Sequence, residues 1–421
     1  MMKLFRPLLT VLLMLLPACA RQVGREVPPL PDTGLPILEL SLSGDASGMK
    51  SGFVPAVLRV LEPGENGEGD SLGCALKLRG HTTRAWPKKP YTLKLNADAP
   101  LLGMPAGSRW VLLANFCDRT LMRNMVAFRV ASLTSLDWTP SCVPVELVLD
   151  GRHLGTYLLA EQVRVEPGRL DLEPDGGFLL ELDFHGSDEV GWTDPHGACV
   201  KLRKGIPFGI KYPSNPSQSE LKYIRDYVAE AAEVLYSDDF ADTDKGYAAY
   251  LDVPSFVDYW LVFELMINHE LGNPGSVYMH KDAGGKLVAG PCWDFDWGTL
   301  SYNFSPQARD GLVNRDAIWY ARLFDDPVFA AAVLERFREL LPELRGITAY
   351  IDECERALAA SAKLNFEMWD PSDDRSQNAG RLVNGDENLG FGEAVHRLRE
   401  IWDERLEVIE NNLIYLQKHH N

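Results

Sequence analysis

The stretch "VELVLDGRHLGTYLLAEQV", residues 145–163, is the clearest β-hairpin in this chain of 421 residues. Asp150-Gly151 supplies a turn dipeptide between two runs of β-forming residues. Other segments that read as strands lie in the same half of the chain, at residues 37–42, 74–80, 91–95 and 177–184. The sequence therefore predicts a strand-rich N-terminal half.

Helical patterns dominate the second half of the chain. Ser217 and Glu220 have the spacing of a capping box, and a second helix is expected to begin near Pro254. Further apolar residues at helical spacing continue to the C-terminus. Within the first half, Asp118 is expected to cap one shorter helix. We predict an α+β fold, with a strand-rich N-terminal half followed by a helical C-terminal half.

The N-terminus has the pattern of an export signal. Lys3 and Arg6 precede an apolar run at residues 8–16, which is too short to span a bilayer comfortably. The sequence "LPAC" that follows resembles a bacterial lipobox, in which Cys19 receives the lipid; an ordinary secretory signal is the alternative. We predict a lipoprotein signal peptide over residues 1–18, a Pro-rich tether over 19–36, and an exported protein anchored to a membrane through lipid.

The net charge of −18 argues against nucleic acid as a partner, because binding to phosphate backbones needs basic surface.

Two aspartates alternate with three aromatic residues in "GPCWDFDWGTL", residues 290–300. If this stretch is extended, Trp293, Phe295 and Trp297 lie on one face, and Asp294 and Asp296 lie on the other, with Cα atoms about 6–7 Å apart. Carboxylates this close repel unless a cation or a shared proton joins them. The spacing suits Mg²⁺ or Ca²⁺. The alternative is that both aspartates cap a turn beside an aromatic core.

Glu161 ends a strand face that is otherwise apolar, so a buried Glu161 would need a cationic partner; the alternative is a glutamate at a solvent-exposed edge. The stretch "RGHTTRAWPKKPYTLKL", residues 79–95, is locally basic in an acidic protein, which indicates an anion site, plausibly for phosphate, or else a solvated loop. The candidate partners of Glu161 all lie in this basic stretch: Arg79, Arg84, Lys88, Lys89 and Lys94.

Taken together and in order, four blocks resemble the CotH kinase family. They are "RGHTTRAWPKKPYTLKL", "LLANFCDRTLMRN", "GTYLLAEQV" and "GPCWDFDWG". Each block alone is weak, and their order makes the resemblance specific. It implies a highly diverged protein-kinase-like fold over residues 37–400, with residues 401–421 forming the end of a C-terminal helix.

The resemblance also implies an activity, which is phosphoryl transfer from ATP to Ser or Thr of surface or secreted proteins, with Mg²⁺ or another divalent cation. Asp294 and Asp296 would hold the cation, and Asp294 would also be catalytic. Lys89 or Lys94 would contact phosphate oxygens, and Glu161 would orient that lysine. The cofactor-binding residues implied are Arg79, Lys89, Lys94 and Glu161.

One segment departs from the family pattern. Members usually carry an Asn-x-Asp-like segment after the long helix, whereas this chain reads "INHELGNPGS", residues 267–276. Glu270 takes the place of the aspartate as the catalytic acid, and Asn273 is expected to ligate the metal. The longer side chain displaces the carboxylate by about 1 Å, and such displacements can cost about 10²-fold in rate. The alternative function is therefore a non-catalytic surface protein, an adhesin or binding module.

Overall fold

The computed structural model describes residues 31–63, 71–80, 83–184, 190–197, 205–370, 384–386 and 388–419. Cys19, the predicted signal peptide and most of the predicted tether lie outside these residues. Among the described helices, none is both long enough and apolar enough to cross a membrane.

The N-terminal part is a closed barrel of seven strands. The strands are β1 Ile37–Leu42, β2 Val54–Leu61, β3 Ser71–Leu78, β4 Tyr91–Leu101, β5 Met104–Leu113, β6 Cys142–Leu149 and β7 Arg152–Glu161. Their order around the barrel is β1-β2-β3-β4-β5-β7-β6, and parallel pairing of β1 with β6 closes it. Alternate side chains such as Leu58, Leu76, Leu93 and Leu159 point inward and form one hydrophobic core.

The predicted hairpin is confirmed as β6 and β7. Asp150 and Gly151 both have positive φ, at 50° and 73°, which is the backbone of a type I′ turn and explains the Asp-Gly dipeptide.

A second, antiparallel sheet follows the barrel. Its strands are β8 Phe178–Asp183, β9 Gly191–Asp194, β10 Ile206–Tyr212, β11 Gly275–Lys281 and β12 Leu287–Ala289. They lie in the order β12-β11-β8-β10-β9. Because β11 and β12 come after two long helices in the chain, the second half is not purely helical.

The helices are α1 Arg123–Ala131, α2 Gln218–Leu235, α3 Val253–Leu265, α4 Tyr320–Leu323, α5 Pro327–Arg345, α6 Ile347–Met368 and α7 Phe391–His419. The capping box of Ser217 and Glu220 is confirmed at α2, and Pro254 lies in the first turn of α3. Helix α3 is buried from Ser255 onward and forms the centre of the larger core. The predicted boundary at residue 400 falls inside α7.

The α+β class and the strand-first, helix-later order are confirmed. The N-terminal unit differs from the kinase-like architecture that we expected, because it is a seven-stranded barrel rather than an obvious kinase lobe. The barrel differs from an open sheet because β1 pairs with β6. This pairing gives hydrogen-bond partners to the two edge strands that an open sheet would leave unpaired.

Candidate functional site

The loop 290–300 that carries the two aspartates is irregular rather than extended. Asp294 has a φ of 68°, in the left-handed region, so the chain turns where the sequence predicted a continuous strand. The predicted strand-like alternation is therefore wrong. The separation that it implied holds only in part: Trp293 and Phe295 are buried, whereas Trp297 is partly exposed, as Asp294 and Asp296 are.

The three aromatic rings of the loop anchor it to different parts of the molecule. The ring centroids are 5.7 Å apart for Trp293 and Phe128, 5.0 Å for Phe295 and Phe263, and 5.9 Å for Trp297 and Trp86. These contacts join the loop to α1, to α3 and to the basic stretch after β3. The loop thus has a fixed position although it has no regular structure.

Asn268, just after α3, connects the aspartate loop to the segment of Glu270. Its Nδ2 donates to the carbonyl of Asp294 at 3.1 Å and to the Thr299 hydroxyl at 3.1 Å. Its Oδ1 accepts from the backbone N of Glu270 at 2.8 Å. One buried amide therefore sets the separation of the two backbone segments that carry the predicted catalytic residues.

Two further amides hold the same loop. Asn124 of α1 accepts from the backbone N of Phe295 at 2.9 Å. Asn384 donates to the carbonyl of Asp296 at 3.1 Å. Together with Asn268, these side chains fix the backbone of three consecutive residues of the loop, Asp294 to Asp296.

Arg123 and two carboxylates form a cluster of ion pairs next to the loop. Arg123 pairs with Asp118 and, at 2.9 Å, with Asp386, and its Nε donates to the carbonyl of Thr299 at 2.8 Å. Asp118 also accepts from the backbone N of Arg123, the first residue of α1, at 2.9 Å. The predicted helix cap is confirmed, and it also orients the arginine that supports the aspartate loop.

The Asp294 and Asp296 side chains hydrogen-bond to each other, and the Ser276 hydroxyl bonds to Asp294. Burial raises the pKa of Asp294, and the negative charge of Asp183 adds to this effect, although Arg79 opposes it. Burial also raises the pKa of Asp296 well above its usual value, with help from the charge of Asp294. The surroundings therefore do not compensate the charge of two ionised carboxylates, and a shared proton or a bound cation would relieve the repulsion between them.

Arg79 is the cation at this pair. Its guanidinium lies over the ring of Trp293, with Cζ 5.5 Å from the ring centroid. Burial lowers the pKa of Arg79, while the negative charges of Asp294, Asp296 and Glu181 raise it. The basic stretch therefore reaches the aspartates through its first residue, Arg79. The charge of this arginine interacts with those of several carboxylates.

Glu270 lies beside β11 at the turn that enters the second sheet. A Cβ placed on Gly275 would lie 2.9 Å from Glu270 Oε2 and 3.9 Å from Asp183 Oδ1, so the two carboxylates flank this glycine. Asn273 ends the short helical turn 270–272. Its predicted role as a metal ligand remains a prediction, whereas Asn268 and Ser276 are the neutral polar residues that contact Asp294.

The predicted partnership of Glu161 with a lysine is corrected. Glu161 is buried as expected, but its cationic partner is Arg169, at 3.5 Å, and it accepts from the backbone N of Ser141 at 2.8 Å. Lys94 lies on the outer face of β4 and is exposed, so it points away from the barrel core. Lys89 donates to the carbonyl of Arg84 at 2.9 Å.

Comparison with known families identifies the chain. A family model described as CotH kinase protein matches residues 76–409. The chain belongs to the CotH kinase protein family. None of the curated proteins compared with the chain matches it. The matched segment contains Arg79, Asn124, Asn268 and both aspartates, and so covers the site described above.

The donor set at the aspartate pair fits the divalent cation that the sequence analysis predicts. Among the described residues, no group of three or more His, Cys, Asp or Glu side chains is arranged to hold a metal ion. Magnesium sites for phosphoryl transfer commonly use one or two carboxylates, with substrate phosphates as further ligands. Asp294 and Asp296 supply two such carboxylates, and a cation between them would offset the repulsion that raises the pKa of Asp296.

The sequence predictions missed the amides that hold the loop and also two residues that interact directly with Asp294, namely Asp183 and Ser276. Asp183 ends β8, and Ser276 lies in β11 with a φ of 134°, beside an irregularity in the β11–β8 pairing. An acidic residue that directly follows a buried apolar strand was a usable signal for Asp183. Nothing local indicated Ser276, because its position depends on how β11 pairs with β8.

Proposed function

We propose that this chain is an exported, membrane-anchored atypical protein kinase, which transfers a phosphoryl group from ATP to Ser or Thr of surface or secreted proteins and depends on a divalent cation. The observation that carries the proposal is the Asp294–Asp296 pair, which is clamped by buried amides and neutralised only in part by Arg79. Membership of the CotH kinase family supports the reaction class.

In this proposal, Asp294 and Asp296 hold Mg²⁺ or another divalent cation, which when bound neutralises charge on the phosphates of ATP. Arg79 contributes a fixed positive charge beside the same phosphates. Glu270 is positioned through its backbone bond to Asn268 to accept the proton of the acceptor hydroxyl. Gly275 leaves the space that the longer Glu270 side chain needs.

Export and anchoring are supported by the N-terminal sequence, in which Cys19 follows Leu-Pro-Ala. Replacing Cys19 with Ser tests this part of the proposal separately. The wild-type protein is expected in the membrane fraction and released by detergent, whereas the variant is expected in the soluble exported fraction. An unchanged membrane fraction for the variant would contradict the lipid anchor.

The activity is tested by incubating the purified protein with γ-labelled ATP, a mixture of Ser- and Thr-containing acceptor proteins, and Mg²⁺ or Mn²⁺. Asp294→Ala and Asp296→Ala are expected to lose labelling by at least about 10²-fold, because the cation loses a ligand. Asp239→Ala is the matched control, since Asp239 is an exposed residue paired with Lys245 at the surface. Its labelling is expected to equal that of wild type.

Thermal unfolding with ATP and the metal gives an independent readout, because a ligand that binds the native state raises the melting temperature. If wild type shows neither labelling nor a metal-dependent shift in melting temperature, the kinase proposal is overturned and the non-catalytic surface protein is favoured. Labelling that survives both aspartate substitutions would show that the reaction does not use this pair.

A further inference from the structure

Three cations form a basic face on the outside of the barrel, defined by Lys77 on β3, Lys94 on β4 and Arg109 on β5. Lys94 lies directly opposite Arg109 in the strand register, and Lys77 lies opposite Thr92, two residues before Lys94. Paired residues of neighbouring antiparallel strands project to the same side, so all three cations share one surface.

This arrangement is unfavourable without a partner. Like charges directly opposite each other across two strands destabilise a sheet. Within the described part of the chain, no carboxylate lies within 4.0 Å of any of the three side-chain nitrogens, whereas nearby Arg59 is neutralised by Glu39 at 2.8 Å. The charge of Glu166 does favour the charged form of Arg109, but burial and the charge of Arg164 oppose it and lower the pKa of Arg109. In a protein of net charge −18, a group of cations with no carboxylate at contact distance in the described residues indicates an anionic ligand.

An exposed aromatic ring lies among these cations. Phe53 keeps 38% of its surface accessible, and its ring centroid is 5.0 Å from Arg109 Cζ and 6.0 Å from Lys77 Nζ. Val57, on the same side of β2, is exposed to a similar extent. The basic face therefore combines positive charge with a small apolar contact, which fits a polypeptide of acidic and apolar residues better than a simple anion.

The basic face is continuous with the aspartate site. Arg79 follows Lys77 by two residues, and its backbone N extends the β3–β4 ladder by donating to the carbonyl of Pro90 at 3.1 Å. The two side chains thus project on the same side, with Cα atoms about 6–7 Å apart. A segment lying along Lys94 and Lys77 would lead towards Arg79 and the two aspartates.

The opposite end of the barrel receives the N-terminal segment. Ile37 pairs with Leu61 at the end of β2, whereas Phe53 precedes the start of β2. The two points are separated by nearly the full length of β2, about 20 Å or more. A membrane tether that enters at Ile37 would place the basic face away from the lipid, which argues against phospholipid headgroups as the ligand.

We propose that the basic face docks an acidic segment of the protein substrate, with carboxylates against Lys77, Lys94 and Arg109 and an apolar side chain against Phe53. This inference rests on the proposed function only in naming the ligand as a substrate. The docking itself needs neither ATP nor a metal, so it can fail or succeed independently of catalysis.

The test measures binding without nucleotide, by fluorescence anisotropy of a short labelled peptide of alternating glutamate and phenylalanine. The double variant Lys94→Glu/Arg109→Glu is expected to weaken binding at least about tenfold, since attraction becomes repulsion. The single variant Lys94→Glu changes only an exposed side chain and is expected to show an intermediate loss. The matched control, Lys363→Glu/Lys418→Glu, reverses two exposed charges elsewhere and is expected to bind as wild type does.

The specificity of the interaction is tested with the corresponding lysine–phenylalanine peptide and with phosphatidylglycerol vesicles, neither of which is expected to bind the basic face. The proposal is overturned if the acidic peptide does not bind wild type, or binds the folded Lys94→Glu variant and the control equally. Vesicle binding that the double variant loses, without peptide binding, would assign the face to a lipid surface instead.

Discussion

Two acidic sites in this protein, one fully buried and one partly exposed, are built in opposite ways. Glu264, at the end of α3, pairs with Arg405 of α7, and its two oxygens also accept from the backbone N atoms of Val313 and Asn314 at 2.7 Å each. Arg405 uses its other donors on backbone carbonyls, including that of Ala308 at 2.8 Å. Every charge in this core site therefore has a specific partner.

The aspartate site lacks such a balance. Asp294 and Asp296 bond to each other, and Arg79 is shared among these two residues and Glu181. The backbone of the loop is as firmly held as that of the core site, but its carboxylates are not neutralised. Burial raises the pKa of Glu264 as it does those of the two aspartates, but only the core site supplies each carboxylate oxygen with its own donors. The contrast indicates that the core site serves stability, whereas the aspartate site is open to a cation or a shared proton.

The largest effect is expected where the core pair is broken. Arg405→Met leaves Glu264 charged and buried, which is expected to lower the free energy of unfolding by about 3–5 kcal/mol. Chemical denaturation measures this loss. Arg399→Met on the same helix is the control, because Arg399 is partly exposed beside Asp352 and Glu355 and is expected to cost under about 1 kcal/mol. Equal losses for both would contradict the assignment of Glu264–Arg405 as a structural pair.

Asn268→Ala is expected to have the next largest effect, because it leaves the buried partners of this amide unsatisfied. The free energy of unfolding is expected to fall by about 1–3 kcal/mol, and the thermal shift produced by ATP with Mg²⁺ is expected to disappear. The control Asn412→Ala removes an amide that donates to the carbonyl of Asp310 near the surface. If Asn268→Ala retains the full ligand-induced shift, Asn268 does not position the site.

Asp296→Asn is expected to change stability in the other direction. Removing one of two adjacent carboxylates relieves repulsion, so without metal the free energy of unfolding is expected to rise by about 1 kcal/mol. Once Mg²⁺ and ATP are added, the free energy of unfolding of wild type is expected to exceed that of the variant. Asp326→Asn is the comparison, since Asp326 accepts from the Tyr247 hydroxyl at 2.7 Å and caps α5. That change is expected to destabilise the protein under both conditions.

The last prediction concerns Lys88, a buried cation for which the described residues provide no carboxylate at contact distance, and its readout is a slope with pH rather than a single loss of stability. Lys88 donates to the carbonyl of Thr156 and to Asn365, and burial lowers its pKa to about 7. Between this value and the pKa of the unfolded chain, the unfolded state binds more protons, so stability is expected to rise with pH. The slope approaches at most about 1.4 kcal/mol per pH unit.

Denaturation at a series of pH values from 7 to about 9 measures the Lys88 slope, and Lys88→Met is expected to flatten it. Absolute stability is not the readout, because the substitution also removes two hydrogen bonds. A slope that is identical in the variant would show that Lys88 remains charged in the folded protein.

The sequence predicted those parts of the fold that depend on neighbouring residues. The Asp150-Gly151 turn, the Ser217 cap and the Asp118 cap are each specified within a few positions, and all are confirmed. Barrel closure was not predictable in this way, since β1 and β6 are far apart in the chain. Strand β2 contains Pro55, a residue that ordinarily argues against an interior strand.

The same limit applies to the site. Asp294, Asp296 and Arg79 were identified from local charge patterns, and the structure brings them together. The predicted link between Glu161 and a lysine failed because strand periodicity gives the face of a side chain but not its neighbours. Asp183 joins the site only through the pairing of β8 with β11, which places it opposite Gly275.

The closure of the barrel has a consequence for how the protein reaches its folded state. Ile37 of β1 pairs with Glu146 of β6, more than one hundred residues later in the chain. Contacts between residues so distant in sequence slow folding, because the ordering of a long loop precedes them. Until β6 arrives, the first strand presents a free edge of the kind that promotes aggregation. A chaperone that shields residues 37–42 until β6 is available would therefore protect the chain at this step.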